Sequence, residues 1–242
     1  AEGIVTLPEA GTALIATGPW RATATTYDLE YPGLSRGHVS GGTLSFLYHL
    51  DYGPVFSASM IAYSRVEPAN MQLPRDAWLR HAELTPRIEV DDGRRVYAST
   101  VDRDARFDVN QTDDGILMSV GGRLLDADGK PPKGEPTYRL DYVFTDDAVA
   151  IVGEARGTDD AQLVLPVITG VNGATGWVGG QLFVGEPPGR LLLKRRKERA
   201  CVRVRRNRMF NLVPGFVGLA CTVDLRSGKP ETVEIAEADT AP

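Results

Sequence analysis

The sequence predicts an almost entirely β protein, a large antiparallel β-sandwich of the supersandwich type, with at most one short helix. Three observations carry that prediction. Apolar residues alternate with period two along most of the chain, whereas the 3.6-residue spacing of an amphipathic helix is nearly absent. Strand-like runs are separated by Asp-, Asn- and Gly-rich turns at short, regular intervals. The length, 242 residues, suits one large sandwich and provides an ample core without disulfides or metal.

The elements can be justified in order. From Thr43 to Leu50, Leu44, Phe46, Tyr48 and Leu50 share one face and are expected to be core. Thr43, Ser45, Leu47 and His49 then share the more polar face. Before this run, Gly41-Gly42 permits a bulge or the close approach of another backbone. Asp76 is placed to cap a helix of one or two turns around Arg75 to Leu84, bracketed by Pro74 and Pro86. Strands are expected at Val96 to Val101, Arg106 to Gln111 and Ile116 to Leu125, with tight turns at Asp102-Arg103-Asp104 and Asp113-Asp114-Gly115. The clearest hairpin runs from Tyr138 to Arg156. There Tyr138, Leu140, Tyr142 and Phe144 alternate with Arg139, Asp141 and Val143, the chain turns at Thr145-Asp146-Asp147, and Val149 to Ala155 returns. Further strands are expected at Leu163 to Ile168, Gln181 to Val184, Gly189 to Lys194, Ala200 to Arg206, Gly218 to Leu225 and Glu231 to Ile235. Residues 1–237 read as a single domain and 238–242 as a frayed tail, with Lys130 to Pro136 a loop between paired strands.

Composition narrows the function. Hydrophobic residues make up 42% and charged residues 24%, which is globular, and no apolar run approaches the length of a membrane span. No charged-then-apolar leader is visible within the sequence, whose first residue is Ala1 rather than Met. A net charge of −5 argues against nucleic acid as the partner of the whole chain. The charge is uneven, because residues 194–208 hold nine of the 27 basic residues and a single acid. That strip reads either as a half-buried strand with a solvated face or as an electropositive surface for an anionic polymer. Cys201 and Cys221 lack the spacing of a zinc site and are read either as a disulfide between neighbouring strands or as two buried thiols.

Chemistry concentrates between Trp20 and Gln72, which holds two of the three histidines and five tyrosines. Aromatic faces stack on pyranose rings, Arg pairs bidentately with uronate or sulfate, and Asn and Gln bond hydroxyls. The residues expected to contact sugar are Arg36, Tyr48, Tyr52, Glu67, Asn70 and Gln72. His38, His49, Tyr63 and Arg65 are the catalytic candidates, since a neutral His or an ionised Tyr can remove a carbon-bound proton and Arg can neutralise a carboxylate. The alternative is structural: tyrosines packing sandwich edges and ordinary hydrogen-bonded histidines. No metal site is demanded by spacing, although His38, His49 and His81 with Asp28, Asp51 or Glu67 could be assembled into one. Asp126-Ala127-Asp128-Gly129 resembles the start of a calcium loop but lacks the later ligands, and a hairpin tip accounts for it better. Asn110-Gln111-Thr112 fits a glycosylation acceptor. No nucleophile elbow, phosphate loop or dinucleotide fingerprint is present.

His38 to His49, then Gly53-Pro54-Val55, Ala58-Ser59-Met60 and Glu67 to Gln72, resemble the β-sandwich module of heparinase II/III-like proteins, as does the hairpin phrase Tyr138 to Asp147 continuing to Gly153-Glu154. The resemblance covers about residues 20–160. It implies a module of a polysaccharide lyase acting on uronate-containing glycans, secreted or periplasmic, with a helical toroid preceding the sandwich and a cleft between the two. It implies Tyr and His as acid and base, and zinc or calcium only as a supporting ion known in the family. The toroid is absent here, so the chain alone is expected to be incomplete as an enzyme. Two other functions compete: a non-catalytic glycan-binding or assembly module, and a glycoside hydrolase using a carboxylate pair near Glu67 and Glu83.

Overall fold

Hairpin follows hairpin in the structure, a computed structural model describing residues 2–26, 40–58, 85–170, 175–178, 181–186, 189–195, 203–205 and 216–238. A first five-stranded sheet is a meander of β1 (Gly3–Leu7), β2 (Thr12–Thr17), β3 (Trp20–Thr25), β4 (Thr43–His49) and β5 (Gly53–Ser57), paired in sequence order. The chain continues through β6 (Arg87–Asp91), β7 (Val96–Ala98), β8 (Arg106–Thr112), β9 (Gly115–Arg123), β10 (Thr137–Phe144), β11 (Ala148–Arg156) and β12 (Ala161–Gly170). It ends with β13 (Thr175–Val178), β14 (Gln181–Val184), β15 (Leu191–Arg195), β16 (Arg203–Arg205), β17 (Phe216–Leu225) and β18 (Glu231–Glu237). An eight-stranded sheet runs β13-β14-β15-β18-β11-β10-β9-β8, and a second five-stranded sheet runs β16-β17-β12-β6-β7. Every pairing is antiparallel.

The two five-stranded sheets adjoin where β5 meets β12, and together they face the eight-stranded sheet across one apolar interior. Trp20, Leu44, Leu47 and Phe56 enter it from one layer and Met118, Leu140, Tyr142 and Phe144 from the other, all without solvent exposure beyond a trace. Full burial of each such side chain contributes about 1.5–3 kcal/mol. The hairpin read most clearly in the sequence is present, with Tyr138 opposite Ala155 and Phe144 opposite Val149.

Of the two features that Gly41-Gly42 permits, a bulge or a close backbone approach, the structure has the close approach. A Cβ on Gly41 would lie 1.9 Å from the Ser99 carbonyl oxygen, and one on Gly42 would lie 2.3 Å from Val120. Both glycines have positive φ, so the tight entry into β4 needs them twice over. Nearby, the Tyr138 hydroxyl donates to the Gly41 carbonyl at 3.0 Å, and burial holds that phenol protonated far above its ordinary range.

Two local expectations are corrected. The strand from Val96 stops at Ala98, and Ser99–Val101 form a 3-10 turn because Ser99 turns inward to accept the Ile88 N–H. The alternation from Thr43 to Leu50 is broken by a bulge: Thr23 pairs with Phe46 and Ala24 with Leu44, leaving Ser45 unpaired. Its hydroxyl shares hydrogen bonds with those of Thr23 and Thr25 and donates to the Thr23 carbonyl. Beyond the bulge the faces exchange. Leu47 and His49 point to the core, and Phe46 and Tyr48 to the outer surface.

The expected helix at Arg75 to Leu84 lies outside the described residues, as do Cys201 and most of the basic strip. At the near end of that strip, Lys194 pairs with Glu234 at 2.7 Å and Arg195 with Glu231 at 2.6 Å across β15 and β18. Cys221 is a free, buried thiol pushed up to about 12 by desolvation. No described helix is long and apolar enough to cross a membrane.

Candidate functional site

Three of the sequence-predicted site residues, Tyr48, His49 and Tyr52, lie among the described residues, and all belong to the β4–β5 hairpin. His38, Tyr63, Arg65, Arg36, Glu67, Asn70 and Gln72 lie outside them.

His49 was expected on a polar face at the mouth of a turn. It is instead fully buried, because the Ser45 bulge turns it inward against Trp20. The two rings meet edge to face, centroids 4.6 Å apart. Its Nδ1 accepts the backbone N–H groups of Asp51 and Tyr52, each at 3.3 Å, so the ring's basic lone pair is spent on holding the turn. Desolvation lowers the imidazole pKa, only partly offset by the carboxylates of Glu237 and Asp51, and the ring is neutral.

Tyr52 ties that turn to the other sheet. Its hydroxyl donates to the Ile168 carbonyl at 2.5 Å, and desolvation pushes the phenol up to about 12. The ring packs so closely on Gly185 that a Cβ there would lie 2.7 Å from it. Tyr48 takes the opposite course. It stands on the outer face beside Phe46, rings near-parallel at 5.9 Å, and across from Arg21 on β3. Tyr48 is thus half-buried on the outer sheet face, an aromatic and a cation side by side.

A second surface was not anticipated. A groove of about 360 Å³ crosses the outer face of the eight-stranded sheet, lined by Arg106 and Asp108 of β8, Ser119 and Gly121 of β9, Thr137 and Arg139 of β10, and Glu154 and Arg156 of β11. The register aligns Arg106, Gly121, Arg139 and Glu154 in one row across four strands. Arg139 bonds Asp141 through Nε at 3.0 Å and Arg156 bonds Glu154 through Nε at 2.6 Å. Sequence alternation marks these residues as solvent-facing. Only the register across β8 to β11 shows that they converge.

The aspartate-rich tip at Asp126 behaves as a hairpin tip. Asp126 Oδ1 accepts the N–H groups of Asp128 and Lys130 at 2.9 Å, and Oδ2 pairs with Arg95. Burial pushes this carboxyl upward, but those bonds outweigh it and hold it below the usual carboxylate range. Among the described residues no group of three or more His, Cys, Asp or Glu side chains is arranged to hold a metal ion.

Comparison with known proteins gives the family. The ulvan lyase C-terminal domain matches residues 5–236, almost the whole chain. The chain belongs to the ulvan lyase C-terminal domain family. A broad-specificity ulvan lyase of Formosa agariphila is 27% identical over 224 residues, which is 90% of this chain and 35% of that protein. This ulvan lyase C-terminal domain therefore spans about a third of the length of its relative. In architecture it is similar to 4-alpha-glucanotransferase of Thermococcus litoralis, with a TM-score of 0.56 at 10% identity, covering 98% of this chain and 39% of that one. That likeness concerns the fold alone.

Proposed function

We propose that this chain is the sandwich module of a polysaccharide lyase acting on uronate-containing acidic glycan. The observation that carries the reading is the family match through residues 5–236, to which the ulvan lyase relative adds a substrate class. The reaction expected of such an enzyme is an elimination. The proton alpha to the uronate carboxylate leaves, a carbon–carbon double bond forms, and the glycosidic oxygen departs with a proton. It needs a cation on the carboxylate, a base and an acid.

We assign those roles by proposal to Arg65 with Arg36, and to His38 and Tyr63, with Glu67, Asn70 and Gln72 contacting sugar. For His49 we propose a positioning role, since its lone pair holds the β4–β5 turn and its ring is sealed against Trp20. Tyr48, half-buried on the outer face beside Arg21, supports a sugar-stacking role, and Tyr52 supports the turn beneath it. The longer protein is proposed to follow the heparinase II/III plan, a helical toroid joined to the sandwich. It would work outside the cytoplasm, where such polysaccharides occur.

The test is incubation with uronate polymers of the ulvan type, following the ultraviolet absorbance of the unsaturated product. Absorbance that rises for the longer protein and is abolished by His38→Ala or Tyr63→Phe supports the assignment. A longer protein that folds but gives a flat trace removes it. The burial of His49 favours a second reading for the isolated chain, a glycan-binding module without turnover. That reading predicts affinity for the polymer and a flat trace.

A further inference from the structure

We propose that the groove across β8 to β11 is a holding subsite for an anionic sugar, with Arg106, Arg139 and Arg156 taking its carboxylate or sulfate. The inference rests on the acidic-glycan reading and adds a location and a ligand chemistry on a face remote in sequence from the β4–β5 hairpin.

The geometry of the arginines is the first argument. Arg139 and Arg156 each spend only Nε on a carboxylate two residues away on their own strand. The terminal amino groups make no other bond among the described residues and are left to donate outward, from planes already oriented by those carboxylates. Arg106, exposed at the other end of the row, has no ion-pair partner among the described residues. Gly121 lies between Arg106 and Arg139 and gives the groove a floor without a side chain. The row spans four strands, about 14 Å at the usual strand spacing, which suits a short oligosaccharide.

Charge balance selects the ligand. Asp108 and Glu154 line the same groove, so a bare polyanion meets repulsion, and a neutral sugar leaves the guanidinium donors without an anion. A sugar that carries both an anionic group and hydroxyls uses both sets, the hydroxyls donating to the carboxylates.

The experiment is calorimetric titration of the whole chain with three probes: a uronate oligosaccharide without sulfate, a sulfated neutral oligosaccharide and a neutral oligosaccharide. Two variants accompany it. Arg106→Ala removes the unpaired cation, and Gly121→Leu fills the floor without changing charge. A Cβ at Gly121 meets nothing closer than the Tyr138 carbonyl at 3.4 Å, so the sheet tolerates it. The expected result is binding of one or both anionic probes but not the neutral one, weakened about tenfold or more by each variant. Which anionic probe binds tells carboxylate from sulfate. Anionic binding that both folded variants retain overturns the groove and leaves the acidic-glycan reading standing. Failure of the wild-type chain to bind any anionic probe overturns the groove, and the absorbance assay on the longer protein then judges the lyase reading separately.

Discussion

The His49 imidazole meets the Trp20 indole edge to face at 4.6 Å, with its Nδ1 accepting two backbone N–H groups of the turn that follows. This pairing makes a titratable group part of the core. Burial lowers its pKa, so near neutral pH both folded and unfolded chains hold it uncharged. As pH falls below the ordinary histidine value, the unfolded chain takes up a proton that the folded chain refuses, and stability drops. The melting temperature of the wild-type chain should therefore fall from about pH 7.5 to 5, and His49→Phe should flatten part of that slope. An unchanged slope would show that His49 is not the group responsible.

The Ser45 bulge makes opposite predictions for adjacent residues. Leu47 is fully buried and Leu47→Ala should cost about 2–5 kcal/mol, whereas Phe46 is 37% exposed and Phe46→Ala should cost under about 1 kcal/mol. Denaturant unfolding of the two variants measures this. Regular alternation through the strand would reverse the order.

Tyr52 links the β4–β5 turn to β12 through the Ile168 carbonyl. Tyr52→Phe should cost about 1–2 kcal/mol by leaving that carbonyl unpaired. The phenol is raised from 10.0 to about 12, so its contribution is complete below pH 10 and is lost as pH rises toward 12. Alkaline unfolding should begin in that window, and Tyr52→Phe should remove part of its pH dependence.

Asp126 gives the acid counterpart. Its depressed carboxyl contributes stability above the ordinary value of 3.8 and loses it as pH falls below. Asp126→Ala should cost about 2–4 kcal/mol, because two N–H groups and the Arg95 guanidinium lose their acceptor. A chelator should leave the melting temperature unchanged; a fall on chelation would restore the calcium-loop reading of this tip.

Sandwich class and most strands were legible because alternation and turn chemistry are local. The Tyr138 to Arg156 hairpin was read nearly to the residue, and Gly41-Gly42 marked a place for a bulge or a close backbone approach, of which the structure has the second. The side facing the core at β4 was misread because one unpaired residue, Ser45, reverses every side chain after it, and no local signal marks a serine as a bulge. The arginine groove was missed for a different reason. Arg106, Gly121, Arg139 and Glu154 come from four strands, and only register brings them into one row.

The most direct test of the acidic-glycan account is affinity electrophoresis of the chain through a gel containing a uronate polymer. Retardation by that polymer but not by a neutral glucan, weakening as salt rises, is the predicted result. Unretarded migration of a cooperatively folded chain in both gels would contradict it.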